Sequence, residues 1–195
     1  MKRIIFASNN EGKIKEVKQI FSEFEVVSMK EAGIDLDVEE NGTTFEENAQ
    51  IKAKAVYDMT GEITMADDSG LEVDYLNKEP GVYSARYMGH DTSYDIKNQS
   101  IIDRLEGIEG SDRSARFVCV MAVCTPDGMV HTARGTMEGV IAKDIKGSNG
   151  FGYDPIVYLP EYGKTSAQLT PDEKNKISHR GKALELIRKE LIKYI

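Results

Sequence analysis

Cysteine is scarce: the chain has two, Cys119 and Cys124, both inside the strand-like run FVCVMAVCT. Residues an odd number apart on a strand point to opposite faces, so these thiols cannot bridge one another. They read as small buried core groups, and no cysteine or histidine spacing suits zinc. Long apolar runs are missing too; none approaches the ~20 residues that a membrane-spanning helix needs. The apolar part of the opening MKRIIFASNN is too short for a secretion signal, so the expected location is cytoplasmic. No internal repeat, low-complexity tract or linker stands out. Positive charge is in deficit, with 25 Lys and Arg against 33 Asp and Glu and a net charge of −8. That argues against general attraction to nucleic acid or an anionic membrane. It still permits an anionic small molecule, because a local lysine cluster outweighs a distant field. What is left is an ordinary globular balance, 40% apolar and 30% charged over 195 residues. This suits one domain with a sizeable core, in one lobe or two.

Hydrophobic periodicity and turn chemistry place the elements. Strands are expected at 3–7 and 25–28, with a helix at 13–21 between them whose Ile14, Val17, Ile20 and Phe21 share a face. After the acidic connection DLDVEENGT, Thr44 and Glu47 form a capping box that opens a helix ending near Gly61. A short strand, 63–66, leads into DDSG, and 71–74 could continue it. The stretch 78–89, with Pro80 and Gly81, reads as an ordered loop. A helix is expected at 93–105, then a hairpin of 116–125 and 129–139 around TPDG. GSNGFGYDP is irregular, and 156–159 is a further strand. Thr170-Pro171-Asp172-Glu173 opens a last helical region, broken near Ser178 and running to the C-terminus. Helices mixed with hairpins predict an α/β fold on a mixed sheet.

Several stretches carry chemistry. SNNEGK, residues 8–13, joins a buried strand to a helix start. It gathers backbone N–H groups at a helix's positive end beside Lys13, which suits phosphate. It lacks the first glycine and final hydroxyl of the phosphate-loop pattern, so taken alone it reads first as a plain strand–helix turn and second as a phosphate site. In MADDSGLEVD, adjacent Asp67 and Asp68 would repel unless a cation offsets them. Magnesium, which takes oxygen ligands, is the natural one; an acidic turn is the alternative. Glu39-Glu40, and Lys52 and Lys54 in FEENAQIKAKA, read singly as solvated surface. The glycines of GFGYDP would let a flat ligand approach the backbone while an aromatic ring stacks on it; a tight loop with buried aromatics also fits. EKNKISHRGKAL places Lys174, Lys176, His179, Arg180 and Lys182 as a basic cluster in an acidic chain; a solvated amphipathic helix fits it equally.

Taken in order, ASNNEGKIKEV, GTTFEENAQIKAKA, ADDSGLEVD with PGVYSARY, ARFVCV, GFGYDP and EKNKISHRGKAL resemble the Ham1 family. This is the family of inosine and xanthosine triphosphate pyrophosphatases, and the likeness spans nearly the whole chain. The family's first turn usually starts with Thr where Ser8 stands, and Asn9 is often a smaller residue. The resemblance implies a single nucleotide pyrophosphatase domain, 1–195. Its fold would be an elongated mixed β-sheet with flanking helices, in two lobes around a central cleft, usually as a homodimer. It implies Mg²⁺-assisted hydrolysis of ITP, dITP and XTP to monophosphate and pyrophosphate.

Carried over by position, Ser8, Asn10 and Lys13 would hold the triphosphate, and Lys52 would reach it from the second helix. Asp68 would be the catalytic carboxylate and bind metal. Glu39 would be the other metal-side acid, preferred to Glu40 by its spacing to Gly42, with Asp67 nearby. Ser69 would touch substrate. Phe151 would stack on the base, with Gly152, Tyr153 and Asp154 shaping its pocket. Lys174, His179 and Arg180 would face base and sugar, with Arg180 or backbone N–H groups donating to the 6-oxygen. A related Maf-like pyrophosphatase and a non-catalytic nucleotide sensor are the alternatives. FGYDP and SHR speak against the first, and intact Asp68, Lys13 and Lys52 against the second.

Overall fold

The computed structural model describes residues 2–194. In chain order the elements are β1 (Arg3–Phe6), α1 (Glu11–Ile20), β2 (Glu25–Ser28), α2 (Phe45–Thr60), β3 (Thr64–Val73) and α3 (Tyr94–Arg104). They continue with β4 (Ser114–Cys124), β5 (Val130–Ile141), β6 (Val157–Leu159), β7 (Lys164–Thr165), α4 (Pro171–Ile177) and α5 (His179–Leu191). The strands form one seven-stranded sheet in the order β2-β1-β3-β4-β5-β6-β7. β1 runs parallel to β2 and β3, whereas β5, β6 and β7 pair antiparallel, so the sheet is mixed as expected. Among the described residues no helix is long and apolar enough to cross a membrane.

The described residues divide into two compact units. One holds the chain up to Asp68, then Cys119–Gly135 and the residues from His179 on; the other holds Ser69–Val118 and Thr136–Ser178. The boundaries therefore fall inside β3, β4 and β5 and at the junction of α4 and α5. Each unit has its own core. In the first, Phe6 and Met65 of the sheet pack with Val17 of α1, Phe21 at its C-terminal cap, and Leu184 and Ile187 of α5. In the second, Leu71, Phe117 and Ile156 pack with Ile101 of α3, Leu105 at its C-terminal cap, and Leu169.

Local chemistry explains most element ends. Both expected capping boxes are formed, Thr44 with Glu47 at α2 and Thr170 with Glu173 at α4. Gly61 closes α2 in the left-handed conformation that glycine adopts without strain. Three expectations shift. α1 starts at Glu11, two residues early, because the Asn10 side chain accepts from Lys13 N–H and caps it. DDSG is no turn: β3 runs through it unbroken for 10 residues. The terminal helix ends at Leu191 and a tight 3-10 turn covers Ile192–Tyr194, with Ile195 outside the described residues. The two-residue β7 has no periodic pattern to read and was not expected.

Candidate active site

Continuity of β3 through Asp67 and Asp68 solves the problem of adjacent acids. Successive side chains of a strand leave on opposite faces. Each carboxylate therefore meets different neighbours, and both are buried.

Asp67 faces α1 and α5. Its Oδ1 lies 3.1 Å from Lys13 Nζ, and its Oδ2 accepts from Arg180 Nη2 at 3.0 Å and from Cys119 Sγ at 3.9 Å. Arg180, at 1% exposure, also donates to Glu16 of α1. Burial works against the charged form of Asp67, but Lys13 and Arg180 overcome it and hold the carboxyl well below the usual range. Burial likewise pushes the Cys119 thiol up, so it stays neutral beside this carboxylate. A buried ion pair contributes little net stability, because desolvation consumes the attraction. The apolar contacts of α1 and α5 hold the helices; the ion pairs set where Lys13 and Asp67 point. Gly135 of β5 lets the start of α5 approach, since a Cβ there would lie 2.2 Å from the His179 carbonyl oxygen.

Asp68 faces α2. The capping box fixes where α2 begins, and Asn48 and Lys52, one turn apart, then share a face. Asn48 Nδ2 donates to Asp68 Oδ2 at 3.1 Å, and its Oδ1 accepts from Gly42 N–H at 2.9 Å. Lys52 Nζ lies 3.2 Å from Glu40 and 3.8 Å from Asp68. Burial raises the Asp68 carboxyl to about 6; Glu40 adds to the push, while Lys52, Lys13 and the Asn48 bond oppose it. Two neighbouring aspartates are thus driven apart, one fixed as an anion and one poised near neutrality.

Of the two adjacent acids Glu39 and Glu40, it is Glu40 that stands beside Lys52 and Asp68. The connection before α2 has no regular structure, and from 31 to 42 its residues alternate between exposed and half-buried. Glu39 falls on the outward side, while Glu40 turns in toward Lys52 and Asp68. Among the described residues no three His, Cys, Asp or Glu side chains gather to hold a metal. Asp68 and Glu40 are nevertheless a fitting pair for a hard cation. Both offer oxygen, and magnesium is commonly held by one or two carboxylates, with water and phosphate completing its shell.

In the second unit, GFGYDP folds around Asp154. The Asp154 carboxylate is buried and accepts from Phe151 N–H at 2.9 Å, Ser166 Oγ at 2.7 Å and Lys174 Nζ at 2.7 Å. Lys174 Nζ also lies 5.1 Å from the centroid of the Phe151 ring. Gly150 has a φ of +76°, and a Cβ there would come within 2.1 Å of Asp154 Oδ2, so only glycine fits. Tyr153 is buried, donates its hydroxyl to the Ser84 carbonyl at 2.7 Å and meets Tyr94 edge to face.

Of the residues singled out from the sequence, Ser8, Asn10, Lys13, Lys52, Asp67, Asp68, His179 and Arg180 lie in the first unit, and Ser69, Phe151, Gly152, Tyr153, Asp154 and Lys174 in the second. Ser8 Oγ accepts from Asn10 N–H at 3.2 Å, and Asn10 spends its carbonyl oxygen on the helix cap. Ser69 follows Asp68 on β3 and is half-buried. His179 is buried at the start of α5. Two base-side expectations change in emphasis. Arg180 is enclosed by Asp67 and Glu16, and Lys174 is enclosed by Asp154, so each is bound to a carboxylate of its own unit. Lys54 stays on the surface with Asp58. Sequence reading missed Glu16 and Asn48. The available signal was a polar residue on an otherwise buried helix stripe: Asn48 lies among Phe45, Ala49 and Ala53.

Comparison with known proteins identifies the family. The Ham1 family model matches residues 4–190. A Clostridium perfringens protein named dITP/XTP pyrophosphatase is 48% identical over 98% of each chain. A Bacillus licheniformis protein of the same name is 47% identical over 95% of each. The solved Ham1 protein of Staphylococcus aureus superimposes with a TM-score of 0.87 at 46% identity, covering 97% of this chain and 98% of that one. A HAM1 protein from Coxiella burnetii gives 0.88 at 42% identity, covering 99% and 100%.

Proposed function

The chain belongs to the Ham1 family, and on that premise we propose that it hydrolyses non-canonical purine nucleoside triphosphates (dITP, XTP and ITP) to the monophosphate and pyrophosphate. The observation that carries this reading is the divided aspartate pair. Asp67 is a buried anion that aims Lys13 and Arg180, and Asp68 is a carboxyl raised to about 6 beside Lys52 and Glu40. Paired titratable groups pushed in opposite directions are the mark of an acid–base site.

In the proposed reaction a water oxygen attacks the α-phosphorus. The bond to the β-phosphate oxygen breaks, and pyrophosphate leaves with the electron pair. Asp68 takes the proton from the water; a carboxyl titrating near 6 is a better proton acceptor at neutral pH than an ordinary one. Lys13 and Lys52 stabilise charge on the phosphate oxygens from positions fixed beforehand by Asp67 and Glu40, so little reorganisation is needed at the moment of reaction. Ser8 and the start of α1 hold the triphosphate. Magnesium, held by Asp68 and Glu40, would supply Lewis-acid stabilisation of the same charge. Phe151 stacks on the base, and Gly152, Tyr153 and Asp154 shape its pocket. Backbone N–H groups of that loop donate to the 6-oxygen, which adenine lacks; a buried mismatch costs discrimination of several powers of ten. Ser69, His179 and Lys174 complete the contacts to sugar and phosphates.

The whole chain works as one domain in the cytoplasm and as a homodimer. Exposed Tyr75, Tyr83, Met88 and Ile96, which fall in one short stretch, support a second copy as the partner. Incubation with ITP and Mg²⁺, with ATP and GTP in parallel, tests the reading. IMP and pyrophosphate from ITP, with little product from ATP or GTP, are expected. IDP and inorganic phosphate would overturn it.

A further inference from the structure

PGVYSARY and α3 have no part in the chemistry so far, yet they meet the base loop at consecutive points. Asn98 of α3, at 1% exposure, donates its amide to the Gly152 carbonyl at 3.1 Å across 54 residues of chain. Its neighbour Lys97, also at 1%, donates to the Ala85 carbonyl at 2.8 Å. The adjacent Ser84 carbonyl accepts from Tyr153 Oη at 2.7 Å, and Ser84 Oγ accepts from Leu71 N–H at 2.9 Å. Helix, turn and loop thus close into one hydrogen-bonded ring, all within the second unit.

Asn98 is an odd residue for packing alone. Its Oδ1 is buried with no hydrogen-bond partner among the described residues. An unsatisfied buried acceptor opposes folding, whereas an apolar side chain of similar size would carry no such cost. What the residue supplies is the amide bond to Gly152. A peptide unit is planar, so fixing the Gly152 carbonyl also fixes the direction of the Tyr153 N–H. Gly152 sits at a φ of +66°, with no side chain of its own to resist rotation. The Asp154 carboxylate holds the Phe151 N–H at the other end of the same short segment.

We propose that Asn98 is a specificity-positioning residue: by clamping the Gly152 carbonyl it sets the backbone plane of the loop that reads the purine base. This rests on the reading of the Phe151 loop as the base site. Discrimination between bases depends on donor direction, and a loop free to rotate would still bind a purine while telling purines apart less well.

The test compares kcat and KM for XTP and ATP in the wild type, Asn98→Ala, Tyr153→Phe and Phe151→Ala, with melting temperatures alongside. Asn98→Ala should raise KM for XTP and lower the XTP-to-ATP ratio of kcat/KM by about tenfold each, with kcat changed by less than about threefold. Tyr153→Phe removes one hydroxyl from the ring without emptying any volume. It keeps the question open should the alanine variant fail to fold, and it should lower the same ratio. An unchanged ratio in the folded variants, with only the melting temperature reduced, would make Asn98 structural and overturn the proposal. Phe151→Ala checks the premise separately. If it leaves KM for XTP unaltered, the base-site reading itself fails.

Discussion

Replacing Asn48 with alanine removes two bonds at once, the donor to Asp68 at 3.1 Å and the acceptor for Gly42 N–H at 2.9 Å. A hydrogen bond to a charged group is worth about 1.5–3 kcal/mol, and an unsatisfied buried donor costs about 1–3 kcal/mol. Gly42 is half-buried, so water can reach its N–H, and the lower part of that second range applies. Together these give a loss of about 2–4 kcal/mol, or roughly 4–16 °C in Tm for a chain of this size. The loss of activity has a different origin. Asp68 keeps its charge environment but loses the group that orients it, an effect of roughly 10–100-fold when a partner behind a reacting or ligating group is removed. The sign with pH also follows. The Asn48 bond favours the ionised form, so its removal should move the acid limb of kcat/KM upward from about 6. Below that limb Asp68 is protonated and cannot accept the proton of water, so the variant should lose more activity at pH 6 than at pH 8. Steady-state kinetics across that range with a thermal melt decide the matter. Wild-type kcat with an unmoved acid limb would refute the argument that Asn48 orients Asp68.

Asp68→Asn should remove most turnover while nucleotide binding, read by calorimetry with ITP, persists; turnover near the wild-type rate would mean the reacting carboxylate lies elsewhere. Glu40→Gln should raise the Mg²⁺ concentration needed for half-maximal rate by about tenfold, whereas Glu39→Gln should barely change it; a magnesium titration of both reads the difference. Glu40→Gln should also move the acid limb downward, the reverse of Asn48→Ala, because Glu40 raises Asp68. Asp67, held below its ordinary pKa, stabilises the fold above about pH 4 and loses that contribution as pH falls. Urea titrations of Asp67→Asn between pH 7 and pH 3 should accordingly show a weaker fall in stability than the wild type.

Local chemistry made much of the fold legible. The capping boxes at Thr44 and Thr170 depend on residues three apart, and both form as read. What the sequence concealed was set by partners distant in the chain. DDSG has the composition of a turn, but the strand continues because Lys13, Arg180, Asn48 and Lys52 meet its carboxylates from both faces. Propensity yields to tertiary context there. Glu39 and Glu40 are adjacent acids in an irregular segment whose burial alternates, and nothing local fixes which of them is exposed. Arg180 looked free to read a base because Glu16 lies 164 residues away. Asn98 and Asn48 were hidden for a common reason: one polar residue on an amphipathic helix reads as surface until the opposing element is known.

Hydrolysis in H₂¹⁸O tests the central claim most directly. With ITP, Mg²⁺ and labelled water, attack at the α-phosphorus predicts one ¹⁸O in IMP and none in pyrophosphate. Label in pyrophosphate would place the attack on the β-phosphorus and contradict the roles given to Asp68, Lys13 and Lys52.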